Sequence, residues 1–286
     1  MKTIVIFYDN DSSYSKEKAF DGKSALELSK NWAESLGLES FTVKSENLTQ
    51  LLYDMKALCE KENAETAVFS FIDLPFLNKT LSQKIIDSHI TYKSEYTFAD
   101  GYPYGFAPEA LNAGTIGILA EFSKTTQASL GEQPVTRDAI YNLIKTDINS
   151  FDVEAVIADT DWRLLRLSFH CGKKDNFMQC KALFESASKE LSKEDYEDVE
   201  KLSELASKNP ACLKTVPGFY NLQIADKVSF ESIYLPAELT APATSIMDFE
   251  KCSSLIEKIA DFSEKAVISL SVYGEPLYHP DFLKIV

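Results

Sequence analysis

Residues 64–76, AETAVFSFIDLPF, are the stretch on which the fold turns. The apolar run ends in Asp73, and Pro75 follows almost at once. A short continuous apolar run of this kind reads as a buried strand of a parallel sheet. In open α/β sheets, ligands gather beyond the carboxyl ends of the strands. Asp73 at such a tip has two readings. It holds a divalent cation against a phosphate, or it caps the turn into the next helix, with Pro75 fixing the entry. The stretch alone leaves both open.

Working outward, KTIVIFY at 2–8 suits a central strand, and 23–36 carries Ala25, Leu26, Leu28, Trp32 and Leu36 near helical spacing, with Gly37 as C-cap. Trp32 is assigned to the core. A strand at 41–45, a helix at 47–62, the strand ending at Asp73, a helix at 78–91 and a strand at 96–100 complete an alternating order. His89 is placed on the surface of its helix. The alternation predicts an α/β fold with a doubly wound, mostly parallel sheet and helices on both faces. DGYPYGFAPE at 100–109 breaks the rhythm with a Gly- and Pro-shaped loop. Helices are predicted at 110–126 and at 136–147, the latter capped by Thr136. Strands follow at 152–157 and 163–170, then helices near 175–189 and 193–207. After Pro210 the pattern restarts as a small β-α-β unit: strand 219–225, helix 247–263, strand 266–272. The expected domains are therefore 1–209 and 210–286, the second being a small lid or the front of a further domain.

Composition bounds the function. The chain has 286 residues, enough for one large α/β domain with an attachment, and 45% hydrophobic with 26% charged residues marks it as globular. No apolar run is long enough to cross a bilayer, and MKTIVIFYDN turns charged too early for a secretory leader. Cys59, Cys171, Cys180, Cys212 and Cys252 form no C-x-x-C pair, which points to a reduced, cytoplasmic protein. The net charge of −15 and the lack of a basic stripe exclude nucleic acid as a partner. With Gly at only 10 residues, the chain holds neither G-x-G-x-x-G nor G-x-x-x-x-G-K.

Three blocks of the first ~190 residues resemble the spore-coat-polysaccharide and CMP-sugar cytidylyltransferases, which have a GT-A-like nucleotide-sugar fold. IDLPFL at 72–77 is similar to their metal-binding strand end, which implies Mg²⁺ on Asp73. GYPYGFAPEAL at 101–111 is similar to the loop that contacts base or sugar; Tyr102, Pro103, Gly105 and Glu109 match, and Ala107 replaces an Asp. TRDAIYNLIKTDINSF at 136–151 matches a third block at Arg137, with Asp138 a conservative change and Ala139 in place of His. The family's basic, Gly-rich triphosphate loop falls on FYDNDSSYSKEK at 7–18. There only Ser12 and Lys18 match. Asp9 and Tyr14 stand at the arginine positions, and Asp11 and Glu17 at the glycines. A carboxylate in place of a guanidinium turns attraction into repulsion, ~4 kcal/mol per contact at ~4 Å and an effective dielectric near 20. At the family's second metal carboxylate stand His170 and Cys171. His170 either joins Asp73 in a mixed metal site or is a strand-end histidine with a hydrogen-bond partner.

SVYGEPLYHPDF at 271–282 resembles the radical SAM segment whose backbone holds the methionine end of S-adenosylmethionine, with Gly274, Glu275 and Pro276 matching. Val228, Ser232 and Leu235 stand where that family has its cluster cysteines. Valine and leucine cannot ligate iron, so no iron–sulfur cluster is expected. The pairing of the two regions resembles the spiro-SPASM proteins, and implies the N-terminal part of a longer polypeptide. Two functions follow. One is a degenerate nucleotidyltransferase-like domain serving as a non-catalytic binding or scaffold module. The other is a Mg²⁺-dependent nucleotidyl- or glycosyltransferase with Asp73 as ligand. The expected partners are a small-molecule sugar nucleotide or a protein or peptide, and the resemblance implies a homodimer.

Overall fold

A computed structural model describes residues 2–213, 217–228, 245–263 and 266–286. The apolar runs become the strands β1 (Thr3–Tyr8), β2 (Ser40–Val43), β3 (Thr66–Phe71), β4 (Tyr96–Asp100), β5 (Glu109–Asn112) and β6 (Val153–Ile157). They form one six-stranded sheet in the order β2-β1-β3-β5-β4-β6. β1 runs parallel to β2 and β3, and β4 parallel to β6; β5 is antiparallel to both its neighbours. Every residue of β3 is buried, as its lack of alternation requires.

Helices follow the strands because their caps are in the sequence. α1 (Ala25–Ser35) opens on a Ser24/Glu27 capping box, α2 (Leu48–Glu62) on Asn47 and α3 (Lys79–Tyr92) on Asn78. α4 (Ala113–Leu130) packs against α2, and α5 (Ala139–Lys145) follows. One core joins β1 and β3 to α2 and α4 through Ile4, Ile6, Leu51, Leu52, Met55 and Leu119. Trp32 belongs to this core, its indole N–H donating to Ser82 Oγ at 3.1 Å. A second core gathers Phe20, Phe76, Phe106 and Phe169 with Leu183 of α6 (Lys174–Glu190). α7 (Lys193–Tyr196), α8 (Val199–Lys208) and α9 (Pro210–Leu213) close this part.

Several expectations are corrected. The helix expected from 110 begins at Ala113, because 109–112 pairs with β3 and β4 as a strand. The helix expected at 136–147 spans only Ala139–Lys145, and Thr136 bonds Asp138 instead of capping it. Residues 163–170 are not a strand. They hold a 3₁₀ turn, Arg163–Leu165, a left-handed Arg166, and a single bridge between Tyr104 and Ser168. The helix expected at 193–207 breaks before Asp198, whose carboxylate caps α8. His89 is buried, not a surface residue: its Nδ1 lies 2.9 Å from Thr97 Oγ1, and burial lowers its pKa.

The chain divides into two compact units, 1–214 and 215–286. The second pairs β7 (Phe219–Asn221) in parallel with β8 (Val267–Ser269) through α10 (Phe249–Phe262), and ends with α11 (Phe282–Ile285). Gly274 lies so close to the Ala225 carbonyl that an added Cβ would stand 1.9 Å from its oxygen. Glu275 N–H donates to Lys227 O, its carboxylate accepts from Leu277 N–H, and Pro276 opens a 3₁₀ turn. His279 donates through Nε2 to Met247 O at 2.7 Å. Ser232 and Leu235, at two of the cluster positions, lie outside the described residues; Val228 is among them.

Candidate functional site

β3 ends at Phe71, and Asp73 follows in the turn beyond it, fully buried. Asn78, not Asp73, caps the next helix, so the capping reading fails. The Asp73 carboxylate instead accepts a bidentate pair from Arg137, Nη1 to Oδ1 at 2.6 Å and Nη2 to Oδ2 at 2.5 Å. Asn10 Nδ2 adds a third bond to Oδ2 at 2.9 Å. The guanidinium lies 4.2 Å over the Phe71 ring. Planar fork, planar carboxylate and aromatic face are the geometry in which arginine differs most from lysine. Burial opposes the charge on Arg137, but its interactions with Asp73 and Tyr104 together outweigh that, and its pKa lies above the ordinary value.

The surroundings are shaped for this pair. Cys171 N–H donates to the Asp73 carbonyl at 2.8 Å, and Gly172 sits against the pair itself. An added Cβ at Gly172 would stand 2.4 Å from Arg137 Nη2 and 2.9 Å from Asp73 Oδ2. His170 Nδ1 accepts from Gly172 N–H at 3.0 Å and faces Arg137 Nη2 at 3.3 Å. Burial, then the Arg137 charge, push the imidazole down to about 3, so the ring is neutral at pH 7.

Mg²⁺ needs near-octahedral oxygen coordination from one or two free carboxylates. Both oxygens of Asp73 already accept hydrogen bonds, and a buried guanidinium holds the place of a cation. Asn10 Oδ1 is buried there without a partner, but a single neutral amide oxygen does not replace a carboxylate. His170 has its Nδ1 engaged and faces the same positive charge, which corrects the mixed-site reading. Among the described residues no group of three or more His, Cys, Asp or Glu could hold a metal ion. The residues present do not fit Mg²⁺.

The segment at the triphosphate position is held by its own charges. Lys44 pairs with Asp9 and Asp11, and Lys16 with Asp11. The Ser12 hydroxyl donates to the Cys171 carbonyl at 2.6 Å, while Lys18 is exposed and 4.0 Å from Glu27.

Beside the pair lies a cavity of about 200 Å³ between β4, the 102–108 loop, the start of β5 and α5. Tyr96, Phe98 and Tyr141 form one wall, with ring centroids 5.2–6.4 Å apart. Tyr102 and Tyr104 line it from the loop. Gly105 sets that loop: its φ is +104°, and an added Cβ would fall 2.1 Å from the Phe169 carbonyl oxygen. Glu109, the first residue of β5, is among the residues that line the cavity. Its Oε2 is buried with no hydrogen-bond partner. Burial pushes its pKa up to about 8, with the Asp138 charge adding to the rise and a hydrogen bond with Tyr96 opposing it.

The sheet order with its antiparallel β5 matches a known architecture. The structure of a cytidylyltransferase from Leptospira borgpetersenii serovar Hardjo-bovis (strain JB197) superposes with a TM-score of 0.55 at 15% identity, covering 76% of this chain and 99% of that one. The fold is cytidylyltransferase-like. At that identity the likeness is one of fold. The 4-diphosphocytidyl-2C-methyl-D-erythritol synthase of Anaerococcus prevotii DSM 20548 gives a TM-score of 0.45 at 12% identity over 64% of this chain and 99% of that one. No protein-family profile matches. An uncharacterised protein of Treponema pallidum (strain Nichols) is 40% identical over 149 residues, which is 51% of this chain and 38% of that protein. The chain thus spans well under half the length of that relative.

Within this cytidylyltransferase-like unit, the structure brings Tyr102, Gly105, Glu109 and Arg137 to one cavity, with Asp73 and His170 behind Arg137. Ser12 reaches the same strand end through Cys171, whereas Lys18 lies apart at Glu27. Gly274, Glu275 and Pro276 belong to the second unit. Sequence reasoning missed Asn10, Gly172 and the wall of Tyr96, Phe98 and Tyr141. Asn10 is 63 residues from Asp73, so no local spacing announces their bond.

Proposed function

We propose that the first unit is a non-catalytic binding module on a nucleotidyltransferase-like fold, part of a larger polypeptide of radical SAM/SPASM type. The carrying observation is the Arg137–Asp73 pair. The carboxylate that a transferase of this fold uses for its metal is bound to an internal cation, and only 0% of the Asp73 side chain is exposed. The acidic 9–17 segment supports the same reading, because phosphoryl and nucleotidyl transfer rest on positive charge around the phosphates. The module offers its ligand the aromatic cavity instead. The second unit serves as an interaction segment, with Gly274–Pro276 in a structural role. No helix among the described residues is long and apolar enough to cross a membrane. All five cysteines are free and buried, which supports a reducing, cytoplasmic setting.

The test is a thermal-shift series with CTP and UDP-sugars, each with and without Mg²⁺ or Mn²⁺, joined to a pyrophosphate-release assay. The expected result is no metal-dependent shift and no turnover. A metal-dependent nucleotide shift that Asp73→Ala abolishes overturns the module reading in favour of the transferase.

A further inference from the structure

Glu109 is a partly buried carboxyl whose hydrogen bond with Tyr96 leaves it incompletely satisfied. Its Oε2 has no partner, and no ion pair reaches it among the described residues. It does not stabilise β5, whose ladder is made by the backbone. An apolar residue of similar shape would pack there without an orphaned acceptor. Glu109 lines the cavity, and a carboxyl with an unsatisfied oxygen beside a cavity is complementary to a donor that the protein lacks.

The walls say which donor. Phe98 and Tyr141 line one side, backed by Tyr96, whose buried ring stacks on both, and Tyr102 and Tyr104 line the other. Aromatic faces attract cations within about 6 Å of their centroids. The charged groups facing Glu109 are few. Asp138 on the α5 side adds negative charge, the tyrosines are neutral, and Arg137 is held by both its terminal nitrogens on Asp73. Glu109 and Asp138 are the acids that line the cavity, and Arg137, the one base among its lining residues, is committed to Asp73. Its volume of about 200 Å³ accommodates a single ring or one long side chain.

We propose that this cavity binds an organic ammonium group bearing at least one N–H, which donates to the Glu109 carboxylate while its alkyl or aryl body lies against the tyrosine and phenylalanine side chains. The ammonium group of a free amine and that of a lysine side chain share this chemistry. The inference rests on the reading of the unit as a binding module and names its ligand class. Bound cation favours the ionised carboxylate, so binding near neutral pH releases the proton that Glu109 holds in the empty protein.

The experiment is isothermal titration of the full chain, in the absence of metal and nucleotide, with benzylammonium, Nα-acetyl-lysine amide, benzyltrimethylammonium, benzyl alcohol and glucose. At pH 7, in two buffers of different ionisation enthalpy, benzylammonium is expected to bind with release of most of one proton. Its affinity is expected to rise about tenfold from pH 7 to pH 8.5. Saturable lysine-amide binding assigns a peptide source, and its absence beside benzylammonium binding assigns a free amine; both support the shared chemistry. Glu109→Gln, which keeps shape and fills the same space, should lower affinity at least tenfold and end proton release, with its melting temperature showing that it folds. Equal binding of benzyl alcohol, binding of glucose alone, a quaternary ammonium that binds as well as the primary one, or no binding of either primary amine up to about 10 mM overturns the proposal. None of these arms includes metal or nucleotide, so this inference and the module reading fail on separate results.

Discussion

Two buried titratable residues shape the pH dependence in opposite directions. Glu109 has a folded pKa of about 8, above its unfolded value. Its contribution is fully present below the unfolded pKa and is lost as pH rises through about 8. His170 has a folded pKa of about 3, below its unfolded value. Its contribution is present above the unfolded pKa and is lost as pH falls toward 3. At about 1.4 kcal/mol per pH unit, the wild type should lose ~2 kcal/mol relative to Glu109→Gln between pH 6.5 and 8. Urea denaturation across that range checks it, and parallel profiles would show that Glu109 is ionised in the folded protein. The Arg137–Asp73 pair makes a second prediction at this scale. Arg137→Ala leaves a fully buried carboxylate with only Asn10 as a side-chain partner and should cost roughly 3–5 kcal/mol. Asp73→Leu with Arg137→Met should recover most of that, since a buried ion pair contributes little net stability over a packed apolar pair. Equal losses in the single and double variants would contradict that account. The site residues themselves were partly legible: Asp73, Glu109 and Arg137 are all named by their motifs. What the sequence hides is that Arg137 faces Asp73, because a pairing across 64 residues is fixed only by the sheet.

At the scale of elements, the strands and helices with strong caps were legible and the short, pairing-dependent ones were not. β3 announces itself by a continuous apolar run, and α3 by Asn78. β5 does not: Glu109, Ala110 and Leu111 are good helix formers, and only pairing with β3 and β4 makes them a strand. Residues 163–170 err the other way. Leu167 and Phe169 are buried and Arg166 is exposed, a true alternation, but only Tyr104 offers a bridge, so no ladder forms. Caps give a prediction here. Asn47 only caps α2, whereas Asn78 caps α3 and also donates to the Glu197 carbonyl at 2.8 Å from a buried position. Asn47→Ala should cost about 1 kcal/mol and Asn78→Ala about 2–3 kcal/mol. Denaturant midpoints at an unchanged m-value measure the difference, and equal midpoints would remove the Glu197 bond from the account. The 102–108 loop is stricter still. Gly105→Ala meets both a positive φ and the Phe169 carbonyl, so it should cost about 3 kcal/mol or more, read from denaturant midpoints.

At the scale of the whole molecule, both hydrophobic cores lie within the first unit, and neither includes a residue beyond Cys212. The site lies there too: Asp73, Arg137, His170 and Glu109 are bonded and packed by residues numbered below 214. A fragment ending at residue 213 should therefore fold on its own. It retains the sheet, both cores and α1 through α9, and its size lies within the range in which single domains bury enough apolar surface to be stable. Its melting temperature should fall within about 5 °C of that of the full chain, since both hydrophobic cores stay within the fragment. Its pH profile should keep the Glu109 and His170 limbs unchanged, because their causes travel with the fragment. A midpoint lowered by far more than this, or a profile without the alkaline limb, would mean that the second unit completes the first one's core. The fragment would then no longer be the binding module, and the whole chain would have to be taken as the functional unit.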